Sequence, residues 1–244
     1  MTRGRVTWLA PTDAPQAFPD VSRALREPDG LLAAGGDLSS ERLIEAYRRG
    51  IFPWYEQGQP ILWWSPDPRC ILWPADLHIS RRLRKEIRST SLTVRYNQAF
   101  ADVIRACAGP RRYQSGTWIT PDMMAAFERL HGEGWAHSVE IWDRQRLVGG
   151  LYGLAVGKAF FGESMFSSTP NASKLALLAL TRHMLARGIE ILDCQVVSPH
   201  LDTLGATTMP RGEFAALLDN ICASPVQLTD WPPDAHAVAE LLRQ

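Results

Sequence analysis

Asp193 and Gln195 stand two residues apart in the run 189–197, whose other residues are mostly those of a buried β-strand. A period of two puts both side chains on one face and leaves Leu192 and Cys194 on the other. A buried polar group without a partner costs roughly 1–3 kcal/mol. The pair is therefore either a strand end bonded to a neighbouring loop, or kept for chemistry in which a group is aligned and deprotonated. Glu163 poses the same choice within Phe160-Phe161-Gly162-Glu163-Ser164-Met165-Phe166. A carboxylate there could have raised proton affinity, hold a cationic group, or cap the adjoining loop. Phe160, Phe161, Met165 and Phe166 are core residues by default, and Met and Phe also suit a pocket for a large apolar side chain.

The run 81–88 carries Arg81, Arg82, Arg84, Lys85 and Arg88 against Glu86. Such a run is a solvated helix face or a set of phosphate contacts. It follows shortly after Trp54, Trp63, Trp64 and Trp73. Trp54 and Trp118 could stack on a base, or belong to the core. Lys plus Arg and Asp plus Glu number 26 each, so any affinity for nucleic acid must come from a local patch. Cys194 is a poor candidate nucleophile because the nearest histidine in sequence, His200, lies beyond Pro199 and off the strand. The four cysteines are far apart without a C-x-x-C pair, and the six histidines contain no H-x-x-x-H pair. Neither a metal site nor a disulfide framework is expected.

The elements that must position these residues follow from pattern. The first thirty residues, with Pro11, Pro15, Pro19 and Pro28, read as an irregular lead-in. Capping residues 37–40 precede a helix that ends at Gly50. Loops and short strands occupy 51–74, and the basic run 78–88 is helical. Residues 137–142, 146–156 and 159–166 are three strands joined by turn signals. Pro170-Asn171 opens a Leu-rich helix closed by Gly188, followed by the strand 189–197 and a helix over 211–222. A meander, a crossing helix and a further strand define an α+β core.

With 244 residues, 45% apolar and 21% charged, the chain has room for one large domain or two modest ones and is no disordered or coiled-coil chain. No stretch approaches 18 uninterrupted apolar residues, so no membrane span is expected. No apolar signal-peptide region precedes Pro11 and Asp13, which points to a reduced, cytoplasmic protein.

Several blocks stand in order across about residues 20–215. Leu31-Leu32-Ala33-Ala34-Gly35-Gly36-Asp37-Leu38-Ser39 leads into Ala46-Tyr47-Arg48-Arg49-Gly50-Ile51-Phe52-Pro53-Trp54. Pro60-Ile61-Leu62-Trp63-Trp64-Ser65-Pro66-Asp67-Pro68-Arg69 and His78-Ile79-Ser80-Arg81 follow. Gly116-Thr117-Trp118-Ile119-Thr120, the segment 161–167, Asn171-Ala172-Ser173-Lys174 and Asp193-Cys194-Gln195 complete the set. Together they resemble the signature blocks of the bacterial leucyl/phenylalanyl-tRNA–protein transferase family.

That resemblance implies a small N-terminal domain over 1–70 and an acetyltransferase-like (GNAT-like) domain over 71–244, acting as a monomer. It implies transfer of Leu, Phe or, less well, Met from aminoacyl-tRNA to the α-amine of proteins beginning with Arg or Lys, creating an N-degron. No cofactor is implied, since an aminoacyl ester is already activated. Asp193 and Gln195 would act as a proton relay, Asp193 polarising Gln195, with Glu163 positioning the reacting groups. A substrate-assisted route through the terminal ribose hydroxyl stays open beside it. Leu151, Phe160, Met165, Leu177, Leu180 and Leu192 would surround the transferred side chain; members of the family often carry Met at the position of Leu151, and some carry Phe at that of Leu180. Arg81, Arg82, Arg84 and Lys85 would contact phosphate, with Trp54 and Trp118 near the terminal adenosine. The rivals are a CoA-dependent N-acyltransferase and a non-catalytic RNA-binding module. Against the first, the stretch 167–173 lacks glycine, and Pro170 removes one backbone donor.

Overall fold

The computed structural model describes residues 5–109, 117–223 and 230–242. A four-stranded sheet holds β1 (Thr7–Leu9), β2 (Leu31–Gly35), β3 (Phe52–Pro53) and β4 (Leu62–Trp64) in the order β1-β2-β4-β3. An eight-stranded sheet holds β5 (Arg69–Leu72), β6 (Thr93–Tyr96), β7 (Ala136–Asp143), β8 (Arg146–Val156), β9 (Ala159–Ser167), β10 (Ile191–Gln195), β11 (Thr207–Met209) and β12 (His236–Ala237). Its order is β11-β5-β10-β9-β8-β7-β6-β12. Both sheets are mixed: β1 runs parallel to β2, and β10 parallel to β9. The helices are α1 (Ser40–Arg48), α2 (Arg81–Ser89), α3 (Phe100–Ala108), α4 (Pro121–Gly132), α5 (Ala172–Arg187), α6 (Pro199–Asp202) and α7 (Arg211–Ile221).

The meander β6–β9 follows from alternation and tight turns, and it makes the longest pairings in the molecule. A parallel β9–β10 pair needs a crossover. The helix α5 supplies it, buried on most of its circumference and stopped by Gly188 in a left-handed conformation. It lies so close to β8 that a Cβ on Gly149 would come within 2.4 Å of the Cβ of Ala172. One apolar cluster joins the four-stranded sheet and α1, α3 and α4 to one face of the large sheet, through Tyr47, Trp63, Phe127 and Phe161. The other face packs on α2, α5 and the last turn of the chain, through Ile87, Phe160, Leu178 and Leu241.

The expected lead-in over the first thirty residues is corrected by β1. Three residues show no period, and this strand forms because β2 offers a parallel partner. The basic helix starts at Arg81, where Ser80 accepts from the Leu83 N–H, rather than at His78. The strand 189–197 is shorter than its apolar composition, because the ladder with β5 breaks between Asp193 and Gln195. Between the basic helix and the strand at 137, where the pattern predicts no element, lie β6, α3 and α4. Strands of the small sheet lie within 7–64 and those of the large sheet within 69–237.

One buried carboxylate has a purely architectural role. Glu140, on β7, accepts from the backbone N–H groups of Gln98 and Ala99 and from the Ser138 hydroxyl, fixing the entry to α3. Replacing Glu140 with Ala should lower unfolding free energy by roughly 1–3 kcal/mol, since three hydrogen bonds to its carboxyl are lost and the buried Ser138 hydroxyl is left without its partner. Urea denaturation checks this, and an unchanged midpoint would contradict it.

Candidate active site

A cavity of about 500 Å³ opens at the end of the large sheet where β9 and β10 meet the β3–β4 hairpin. Its apolar wall comes from Leu151, Met165, Leu177, Leu180 and Leu192, together with Phe52 and Pro53. Five of the six side chains expected around a transferred residue therefore line it. Phe160 does not. It pairs with Leu192 and packs in the core behind that wall, its ring filling the space over Gly153. Trp54 and Trp118 both reach the cavity wall, Trp54 largely exposed and Trp118 half-buried. Gly116, quoted with Trp118, lies outside the described residues.

The polar residues gather at the same place. Glu163, Asp193 and Gln195 all border the cavity. The expected opposite faces are found: Leu192 and Cys194 pack on the side of α5, Asp193 and Gln195 turn to Arg69 and Glu163 on the other, and the cavity is lined from both. The ladder is irregular between Asp193 and Gln195, and Gln195 sits at φ 63°, a left-handed conformation that a non-glycine residue adopts only when its surroundings enforce it.

Arg69 enforces it. Its Nε donates to Asp193 Oδ1 at 2.8 Å and its Nη2 to Oδ2 at 2.6 Å, with both side chains fully buried. Asp193 Oδ1 also accepts from the Gln195 N–H at 2.9 Å, clamping the bulge. The remaining Arg69 nitrogen, Nη1, donates to the Gly50 carbonyl, and the guanidinium lies near the rings of Phe52 and Phe214. With both carboxylate oxygens engaged, Asp193 does not polarise the Gln195 side chain. Glu163 has that contact instead: Gln195 Nε2 donates to Glu163 Oε1 at 2.8 Å, and the Tyr47 hydroxyl donates to the same oxygen at 2.6 Å.

Glu163 is buried, and its second oxygen, Oε2, has no hydrogen-bond partner in the structure. Burial pushes its carboxyl up to about 7, outweighing the Tyr47 and Gln195 hydrogen bonds that favour the ionised form. Tyr47 is driven well above its usual range, first by burial and then by the Glu163 charge, so it stays a donor. A carboxyl poised near neutral pH with an uncommitted oxygen beside an apolar cavity is suited to taking up a proton. Among the described residues, no group of three or more His, Cys, Asp or Glu could hold a metal ion.

Arg81, Arg82, Arg84 and Lys85 lie exposed along α2 and do not line the cavity. Arg82 pairs with Glu86, and Arg84 Nε donates to the Ile79 carbonyl. This helix is tied to the first turn of α5 through Asn171 Nδ2, which donates to Glu86 Oε2 at 2.7 Å.

Two residues of the cluster, Tyr47 and Arg69, lie within the signature blocks, and neither is among the expected site residues. Arg69 carried a signal, a charged side chain opening the otherwise apolar run Arg69-Cys70-Ile71-Leu72. Tyr47 carried none, since a tyrosine on the apolar face of a helix is ordinary core.

The fold and site together define a mixed α+β protein with a largely apolar cavity bordered by a buried carboxyl. Comparison with known sequences makes this specific. The sequence model described as leucyl/phenylalanyl-tRNA protein transferase matches residues 71–219, and that of its N-terminal domain matches 36–67. A leucyl/phenylalanyl-tRNA–protein transferase of Pseudomonas syringae is 54% identical over 226 residues, 93% of this chain and 97% of that one. Those of Pseudomonas fluorescens and Azotobacter vinelandii are 56% and 55% identical, over 87% and 88% of this chain and 93% and 95% of theirs. The chain belongs to the leucyl/phenylalanyl-tRNA protein transferase family.

Titration of the wild-type protein with 13C-labelled glutamate should show one carboxyl resonance, absent from Glu163→Gln, with a midpoint near 7. Tyr47→Phe removes a donor to the ionised form, so the midpoint should move to higher pH. A Glu163 midpoint in the ordinary carboxylate range would contradict this electrostatic reading.

Proposed function

We propose that this chain moves a leucyl or phenylalanyl group, and less readily methionyl, from aminoacyl-tRNA to the α-amine of proteins that begin with Arg or Lys, in the cytoplasm and as a monomer. The relatives' names support the reaction class. The observation that carries the site assignment is the buried Glu163 carboxyl, one oxygen of it without a hydrogen-bond partner, beside a cavity with an apolar wall. Leu, Phe and Met share size and apolarity, which a wall of Leu151, Met165, Leu177, Leu180 and Leu192 can grip without a polar group. Discrimination among them is worth only about 1–3 kcal/mol per methylene or two.

In this mechanism the acceptor α-amine, with an ordinary pKa of about 7.7–8.0, attacks the ester carbonyl carbon. The C–N bond forms, the amine proton passes to Glu163 Oε2, and the bond to the terminal ribose oxygen breaks as that oxygen regains a proton. Gln195 and Tyr47 hold Glu163 in place, while Asp193 and Arg69 hold Gln195. Asp193 is thus a positioning residue and Glu163 the proton acceptor, the reverse of the roles expected from resemblance. A proton shuttle through the ribose hydroxyl is compatible with the same positions, Glu163 then orienting the amine. Trp54 and Trp118 would meet the terminal adenosine, and α2 the phosphates.

We assign 1–70 to a small N-terminal domain and 71–244 to a GNAT-like unit, supported by the meander, the α5 crossover and the parallel β10. A CoA-dependent reaction is disfavoured by the turn before α5. There Pro170 and the Glu86 carboxylate bound to Asn171 stand where pyrophosphate would need backbone donors.

The test is incubation of the purified protein with labelled Leu-tRNA and a peptide starting with Arg, without ATP or CoA. Label should appear at the peptide N-terminus, and Glu163→Gln should lower the single-turnover rate by at least 100-fold, within the range general-base catalysis spans. No transfer, or transfer only with CoA, would contradict the reading.

A further inference from the structure

Lys174 stands in the first turn of α5, half-buried, and forms no hydrogen bond or ion pair with any described residue. Its place along the chain sets it apart. Asn171, just before the helix, is bonded to Glu86 of α2, and one turn beyond Lys174 comes Leu177 of the cavity wall, then Leu180. Residues three apart are neighbours on one side of a helix, about 4.5 Å apart along its axis. Helix side chains lean toward the N-terminus, so the Lys174 ammonium is carried outward from Leu177, toward α2. Lys174 therefore spans the interval between the basic helix and the cavity, which α2 itself does not line. The carboxylate on that side, Glu86, is engaged on both oxygens, by Arg82 and by Asn171, and does not neutralise it. Glu163 and Asp193 turn to the opposite face, held by Tyr47, Gln195 and Arg69. Across the mouth, α6 brings His200 to the cavity. Partial burial, and after it the Lys174 charge, hold that imidazole below its ordinary range, which fits an ammonium directed at the same mouth.

We propose that Lys174 binds the backbone phosphate nearest the reacting end of the aminoacyl-tRNA, joining the basic helix to the cavity. With the transferred side chain against Leu177 and Leu180, the ribose that carries it lies at the mouth. The phosphodiester on the 5′ side of that ribose follows directly. It carries one negative charge, which a flexible ammonium meets without the row of backbone donors that a pyrophosphate needs. The cations of α2 then meet phosphates further along the strand. Lys174 touches the donor but not the reacting atoms, and its contact is the same before and at the transition state. It therefore acts on KM rather than on kcat.

The inference rests on aminoacyl-tRNA being the donor, as proposed above. Leu-tRNA is compared with a donor that has no phosphate, the leucyl ester of adenosine, in wild type, Lys174→Met and Lys174→Arg. Lys174→Met keeps an unbranched apolar stem, and its urea midpoint should match wild type. Its KM for Leu-tRNA should rise about ten-fold, with kcat within about two-fold, as expected for one lost charge-assisted contact. Lys174→Arg should recover most of that loss, and the KM for the adenosine ester should be the same in all three proteins. The slope of log kcat/KM for Leu-tRNA against log salt should become shallower by about 0.7, the share of one phosphate on a single strand. That slope decides the matter on Leu-tRNA alone. An unchanged KM and slope in Lys174→Met, an equal loss with both donors, or a rise confined to the KM of the acceptor peptide would overturn the inference and leave the transfer reaction standing. No transfer from Leu-tRNA by wild type would overturn the function itself.

Discussion

The buried ion pair between Arg69 and Asp193 is the interaction on which the rest of the site depends. Both charges are removed from water entirely, a situation tolerable only when geometry is good and the remaining donors and acceptors are satisfied. Here they are satisfied. Two guanidinium–carboxylate bonds join β5 to β10, Nη1 reaches the carbonyl after α1, and Oδ1 also takes the Gln195 N–H. Breaking one partner of such a pair costs about 3–5 kcal/mol, so the backbone at Gln195 is held in a conformation that it would not choose alone.

From that clamp the chemistry is assembled by short steps. The bulge turns Gln195 toward Glu163, and Tyr47 approaches the same oxygen from α1. Two donors on Oε1 fix the carboxyl and leave Oε2 free, while burial raises its proton affinity. Neither half of the chain could make this arrangement alone, because Tyr47 and Arg69 lie N-terminal to the meander and Glu163 and Gln195 at its far end. Residues 116 and 124 positions apart are in direct contact.

Those separations explain what the sequence made legible. The strands of the meander and the helix α5 could be read because their period and turn residues are local. Asp193, Gln195 and Glu163 could be read as polar residues in apolar surroundings, and Met165 as an apolar neighbour suited to a pocket, whereas Leu151, Leu177 and Leu180 entered only with the family resemblance. The bulge could not be read, since a period of two gives the faces, which held for Leu192 and Cys194 against Asp193 and Gln195, but not the break in the ladder between them. Phe160 shares a face and a register position with Leu192, and pattern alone does not tell which of two such neighbours meets the cavity and which packs behind it. The roles of Arg69 and Tyr47 needed the tertiary contact itself, and with them went the division of labour between Asp193 and Glu163.

That division is the central claim, and a double-mutant cycle tests it most directly. Asp193→Asn and Gln195→Ala are made singly and together, and each is read by unfolding free energy and by single-turnover transfer rate across pH 6 to 8.5. If Asp193 only holds Gln195, the main loss of stability, about 3 kcal/mol, belongs to Asp193→Asn. The rate losses should then be less than additive, and the rise in rate near pH 7 that Glu163 sets should persist in every folded variant. Disappearance of that rise in Asp193→Asn alone, with additive losses in rate, would show that Asp193 carries the proton and would contradict the account.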